Sequence, residues 1–141
     1  MGLISNGTTL LDAGSLDGGV SKGDLVLIKT LTASDDATLT FVNGTDSVVL
    51  DDTYVEYIFK FINVHPITDS QNFEFQVDTG SNTDYNQPMT TTVIRAYHDE
   101  ADSTTSLEHE AGNDQAQGTG FQDISDGIGN GNDESGAGAL Y

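Results

Sequence analysis

Two acidic triplets, each built on a histidine, are the strongest chemical signal in this 141-residue chain: His98-Asp99-Glu100 and Glu108-His109-Glu110. Imidazoles and carboxylates together can hold a divalent metal ion. If residues 97–100 and 107–110 pair as a hairpin, the two triplets come close. Successive residues on a strand point to opposite faces, so each triplet offers at most two groups to one site. His98, Glu100, Glu108 and His109 are the candidate ligands of such a site. A solvated acidic hairpin, with no metal and no other cofactor, is the preferred reading. His65, beside Pro66, reads as a loop residue.

Other motifs carry less. Residues 123–134 (DISDGIGNGNDE) resemble a calcium loop in composition only. An EF-hand needs oxygen ligands at its first, third and fifth positions and Gly at the sixth. Counting from Asp123, the later positions are Ser125, Gly127 and Ile128, and the pattern fails. Loose calcium or magnesium binding by surface carboxylates stays open, since hard cations take oxygen ligands. The run Gly127-Ile128-Gly129-Asn130-Gly131 lacks the Lys, the preceding apolar strand and the following helix of a phosphate loop. Asn6-Gly7-Thr8 and Asn43-Gly44-Thr45 match glycosylation acceptors, but with no signal peptide to export the chain the match is empty. There is no Cys nucleophile and no G-x-S-x-G elbow. Paired carboxylates are uninformative where acids are this common. The residues give no enzyme signal.

The charge constrains partners more sharply. Asp and Glu number 23 against 4 Lys and Arg, for a formal net charge of −19. The bases are Lys22, Lys29, Lys60 and Arg95. Phosphate binding runs on clustered Lys and Arg, so nucleic acid repels this surface and is not expected as a partner. Anionic membrane surfaces repel the chain for the same reason. With no Cys there is no disulfide framework or thiolate zinc site. No secretory signal is legible at the N-terminus, and no apolar stretch approaches the roughly 18 residues of a membrane span. The expectation is a soluble protein made without export, reaching the outside of a cell through lysis or assembly.

The elements that must position these groups read as strands. Hydrophobic content is only 35 %, so the core must be thin. Residues 1–24 mix Leu3, Ile4, Leu10, Leu11, Leu16 and Val20 with Gly, Ser and Asp in no regular period. They read as an extended N-terminal arm whose Leu3, Ile4, Leu10, Leu11 and Leu16 are candidates for docking onto a partner. Strand candidates follow at 25–32 (LVLIKTLT), 37–42 and 47–50, with a tight turn at Asn43-Gly44. The strongest is 53–64 (TYVEYIFKFINV), ended by Pro66. Residues 72–77 alternate again, and 89–98 and 103–110 complete the set. The core is expected on Val55, Tyr57, Phe59, Phe61, Phe73 and Phe75. Residues 25–110 form the β-body. Residues 111–141 read as a Gly/Asp/Asn-rich loop running into a terminal strand. No segment has helical periodicity and no repeat has a fixed period. About seven short strands at this spacing predict an all-β antiparallel sandwich or jelly roll.

Several strings carry a family resemblance: LISNGTTLLDAGSLD (3–17), TYVEYIFKFINVHP (53–66), RAYHDEA (95–101) and DQAQGT (114–119). They resemble segments of small virion proteins of marine tailed phages, cyanobacterial ones included, that act as capsid-associated or tail-fibre structural proteins. The resemblance covers most of the chain and brings no catalytic residues. It implies a β-rich module exposed on a particle. Such relatives run on into further strands after a segment like GAGALY, so the sandwich is expected to be incomplete at the C-terminus, in a naturally short or truncated chain. The implied role is a knob-like protein decorating the capsid exterior, assembled in the host cytoplasm, with the major capsid protein or another virion protein as partner and neither nucleic acid nor membrane. The alternative is a tail-fibre or receptor-binding module that recognises the host surface, with Tyr54, Tyr85 and Tyr97 as the aromatics to watch. An enzyme acting on host polysaccharide is a more remote third.

Overall fold

In a computed structural model, residues 3–5, 8–12, 15–16, 25–80 and 83–141 are described, the first three segments by their backbone alone. The strands are β1 (Leu3–Ser5), β2 (Thr8–Asp12), β3 (Ser15–Leu16), β4 (Phe59–Val64), β5 (Gln71–Phe75), β6 (Met89–Thr90), β7 (Ile94–His98), β8 (Thr105–His109), β9 (Ala116–Gly118), β10 (Gln122–Ile128) and β11 (Gly136–Leu140). The only helix among the described residues is one 3-10 turn, Ala111–Asn113. Every ladder is antiparallel: β1-β2-β3, β4 with β11, β5 with β10, β6 with β9, and β7 with β8. The chain is all-β, as its alternation and its want of helical period predict. It divides into two compact units, residues 1–57 and 58–141.

The first unit differs from the sequence reading. The backbone of the expected extended arm turns back twice, as the β1-β2-β3 meander, with Leu3 laddered to Leu11 and Leu11 to Leu16. The side chains of the docking candidates Leu3, Ile4, Leu10, Leu11 and Leu16 lie outside the described residues. The expected strands at 25–32, 37–42 and 47–50 do not form; these residues have no ladder partner. Strand propensity describes a residue that fits a pleated, half-buried surface, and here no neighbouring strand supplies one. The turn at Asn43-Gly44 is present. Gly44 takes φ 78°, and the Gly44 and Val48 amides donate to the Val48 and Thr45 carbonyls at 2.9 Å each. Val48, beneath it, is 5 % exposed.

The run at 53–64 starts late. Asp51 Oδ1 accepts from the Thr53 amide at 2.8 Å, and the Tyr57 hydroxyl donates to the Asp51 carbonyl at 2.6 Å. These bonds close a loop, so pleating begins only at Phe59. Val55, expected in the core, is fully exposed, because the segment that carries it is not a strand. Tyr57 is half-buried and fastens the loop.

In the second unit the strands meet around Phe61 and Phe73, whose rings cross edge to face with centroids 4.9 Å apart. Val64, Ile124 and Ile128 join them around a cleft of about 130 Å³. Phe59, Phe61, Phe73 and Phe75 are all half-buried, as strands with one sheltered face should be. One detail changes the phase of β4. Its register against β11 slips between Gly136 and Gly138, opposite Asn63 at φ 54°. A bulge with a left-handed Asn inserts one residue. Phe61 and Val64 therefore line the same cleft, although simple alternation puts them on opposite faces. Ile62 is turned out and 82 % exposed.

Residues 111–141 are a second correction. The terminal strand exists, as β11. The expected loop before it contains β9 and β10, and β10 is the longest strand described. Its sequence, QDISDGI, has few apolar residues, yet Gln122 and Ile128 at its ends are buried. Gly127 takes φ 63°, and its amide donates to Asn72 Oδ1 at 3.0 Å. A side chain thus replaces a ladder partner where β10 bulges.

Phe61→Ala is expected to lower unfolding free energy by about 2–3 kcal/mol, below the 3–5 typical of a fully buried Phe because the ring is partly exposed. Val55→Ala should change it by no more than about 0.5 kcal/mol. Urea unfolding followed by circular dichroism checks both; a larger loss at Val55 would place it back in a core.

Candidate functional site

The β7–β8 hairpin carries most of the chemistry, and its register decides what meets what. Ile94 pairs with His109, Arg95 with Glu108, Ala96 with Leu107, Tyr97 with Ser106 and His98 with Thr105. The two histidine triplets therefore lie at opposite ends of the hairpin. An antiparallel ladder separates the end of one strand from the end of the next, so the candidate ligands His98, Glu100, Glu108 and His109 do not converge. Among the described residues, no three His, Cys, Asp or Glu side chains are grouped to hold a metal ion. Three of the four have local work instead. The His98 ring bonds the Asp99 carbonyl at 3.1 Å. Glu108 pairs with Arg95. His109 Nε2 bonds Asp114 Oδ2 at 2.7 Å.

Arg95 is the centre of the inward face. Its Nη2 lies 2.9 Å from Glu108 Oε1 and 2.8 Å from Glu110 Oε2. Nη1 lies 3.3 Å from Asp126 Oδ2 of β10. The guanidinium carbon stands 5.2 Å from the Tyr97 ring centroid, a cation–π contact. Hydrogen bonding to Glu108, aided by the charge of Glu110, holds this guanidinium still more firmly protonated. One cation against three carboxylates leaves the cluster two charges negative. Beside it, residues 93–97 and 123–126 wall a cleft of about 340 Å³, with Glu110 and Asn113 on its lining. Tyr97 is 42 % exposed there.

Two polar anchors fix the hairpin. At its base, Asp114 Oδ1 accepts from the Val93 amide at 2.8 Å while Oδ2 holds His109. These two bonds, Val93 first, keep the Asp114 carboxyl below the usual carboxylate range. Next to it the buried Gln122 accepts from the Thr91 hydroxyl and donates to the carbonyls of Asn113 and Asp123, each at 3.0 Å. Thr91 Oγ1 in turn accepts from the Gln115 amide at 2.9 Å. At the tip, Asp99 accepts from Ser103 Oγ and from the amides of Ser103 (2.7 Å) and Thr104 (3.0 Å). Carboxylates that accept several donors resist protonation. Asp99 is accordingly lowered to about 2, chiefly by Ser103.

Sequence reading missed Arg95, Asp114, Gln122 and Asp126. One signal was present: a lone Arg among 23 acids, on an alternating strand, must find carboxylates. No family model, curated protein or solved structure matches the chain.

Replacing Arg95 with Met should destabilise the fold modestly, because the charge-assisted bonds it makes are screened by partial exposure. Chemical denaturation checks this, and added salt should narrow the gap by screening the carboxylates left behind. The Asp99 bonds give a pH effect of fixed sign. Its folded value is depressed, so its contribution is complete above the ordinary 3.8 and is lost as pH falls through about 2. Hydrogen exchange at the Ser103 and Thr104 amides should quicken over that window in the wild type. In Asp99→Asn that step should be absent; an unchanged profile would show that Asp99 does not hold the turn.

Proposed function

We propose that this chain is a structural protein of a tailed-phage virion, a non-enzymatic knob decorating the capsid exterior. The observation that carries the reading is the placement of charge. Acids outnumber bases by 23 to 4. Arg95 is closed within three carboxylates, and Lys29 stands 3.9 Å from Asp46. No cationic track forms among the described residues, so packed DNA repels the protein and the outside of the shell is the compatible place. Shallow ribbons tied by polar networks suit a protrusion that is wet on most sides. On this reading β4–β11 and β5–β10, meeting at Phe61 and Phe73, are the two layers of a small antiparallel sandwich. The β1-β2-β3 meander docks on the major capsid protein or another virion protein through Leu3, Ile4, Leu10, Leu11 and Leu16. Each Leu so covered contributes about 1.5–3 kcal/mol before ordering costs.

A second reading, a fibre module that recognises the host surface, draws on the cleft beside Tyr97. An exposed aromatic ring next to Asp123, Asp126 and Asn113 is chemistry that suits a sugar.

Labelling of intact particles in electron micrographs separates the two, with density on the capsid expected and density on the tail favouring the fibre. Leu11→Asp, at the ladder position shared by Leu3 and Leu16, is expected to fold yet fail to join particles. A mobility-shift assay should show no binding to duplex DNA; salt-sensitive binding would defeat the exterior placement.

A further inference from the structure

We propose that the outward face of the β7–β8 hairpin is a self-association surface, occupied by the same face of a second copy of this chain. The inference stands apart from the virion role. Directly opposed residues of a ladder share a face. Ile94, His109, Ala96, Leu107, His98 and Thr105 therefore form one surface, and Arg95, Glu108, Tyr97 and Ser106 the reverse. The reverse is drawn onto Asp126 of β10 by the Arg95 ion pair. All six residues of the first face are exposed, Ile94 at 72 % and Leu107 at 77 %. Antiparallel strands with one wet face ordinarily turn apolar side chains inward and polar ones out. This hairpin is inverted, because Arg95 and its carboxylates claim the inner side. Ile94, Ala96 and Leu107 are left together in water.

Charge selects the occupant. The face has no carboxylate, in a chain that has 23 acids. Glu108 lies on the reverse side with Arg95, and further acids stand beyond the two ends of the face. Asp99, Glu100 and Asp102 lie in the connecting loop, with Asp99 tied to Ser103 and Thr104. Asp114 lies at the base, tied to His109 and Val93. Two copies of −19 repel on most approaches, and they meet at least electrostatic cost where carboxylates are missing. A basic partner is drawn elsewhere, to the carboxylates. The face is also self-complementary. A two-fold axis between two such faces, parallel to the strands, sets Ala96 of each copy under Leu107 of the other, small against large, and Ile94 against His109. The layers then sit about 10 Å apart, as packed sheets do. Two strands of five residues cover less than the about 800 Å² per partner of a standard interface. The dimer is therefore reversible and concentration-dependent.

Sedimentation equilibrium of the full chain tests this. The apparent mass should rise with concentration from one chain towards two, and Leu107→Asp should hold it at one with an unchanged circular dichroism spectrum. The chain has no cysteine, so a single introduced thiol reports position without a background, even if Leu107→Asp fails to fold. Ala96→Cys treated with a short bis-maleimide should give covalent dimers. Ser135→Cys, in the exposed loop before β11, should not. A chain monomeric at every concentration overturns the proposal and leaves the face to a different partner. A folded Leu107→Asp that still dimerises, or equal linking through Ser135→Cys, overturns it as well.

Discussion

Surplus negative charge is the constraint on which the rest of this structure depends. With 23 acids and 4 bases, no general pairing is available, and one cation can be shared among several carboxylates. Arg95 is so shared where β7, β8 and β10 meet. Arginine suits the position because its planar fork can engage several acceptors at once while its face lies on Tyr97. Where no cation is at hand the charge is carried at a cost. Glu74 stands across the ladder from Asp123. Burial first, and then the charge of Asp123, push its carboxyl above the ordinary value. Like charges opposed in a ladder destabilise it, and that strain sits in the same β5–β10 ribbon that carries Phe73.

A chain so charged cannot bury much, and polar side chains take over part of the work of a core. Val48 and Ile128 are the only buried hydrophobic residues among those described, and Gln122 is buried with them. Gln122 ties its strand to two other segments, at Thr91 and Asn113. Gln76, just past β5, donates to the Thr119 and Gly120 carbonyls at 3.1 and 2.8 Å. His65 reaches the Gly131 carbonyl at 2.6 Å. Such bonds contribute modestly when made and cost more when broken. They specify position more than they stabilise. A fold held this way is defined in register while its apolar contacts remain few.

What was legible in the sequence follows from the same physics. Strands were readable in part: β5 within the expected 72–77, with Phe73 and Phe75 sheltered, β8 within 103–110, the later part of 53–64, and the end of 89–98, which breaks after Thr90 into β6 and β7 with different partners. The turn at Asn43-Gly44 was readable from Gly44, which takes the left-handed conformation there, although Asn43 does not and Asp46 and Ser47 do. The strand that sequence missed, β10, is built from Gln, Asp and Ser and held by side-chain bonds, which leave no hydrophobic period. The strands that sequence overstated, at 25–50, have the right residues and no neighbour to pair with. The bulge at Asn63 was invisible for another reason: one left-handed residue shifts the phase of everything after it, and Asn permits that conformation without requiring it. The Arg95 site was half legible, since a single Arg had to be paired, but its partners lie on three strands that only the topology brings together.

The inversion of the β7–β8 hairpin joins these observations. An ion-pair cluster and an apolar face compete for the inner side of a two-stranded ribbon, and only one can have it. Exposing Ile94 and Leu107 forfeits about 25 cal/mol for each Å² of apolar area left in water. Exposing Arg95 instead would leave Glu108, Glu110 and Asp126 crowded without a counter-ion. In a neutral protein the apolar face would ordinarily win. In a chain at −19 the cation is scarce and the carboxylates are already there, so the balance tips to the cluster. The surface that results is where this acidic protein meets its own copy at least electrostatic cost.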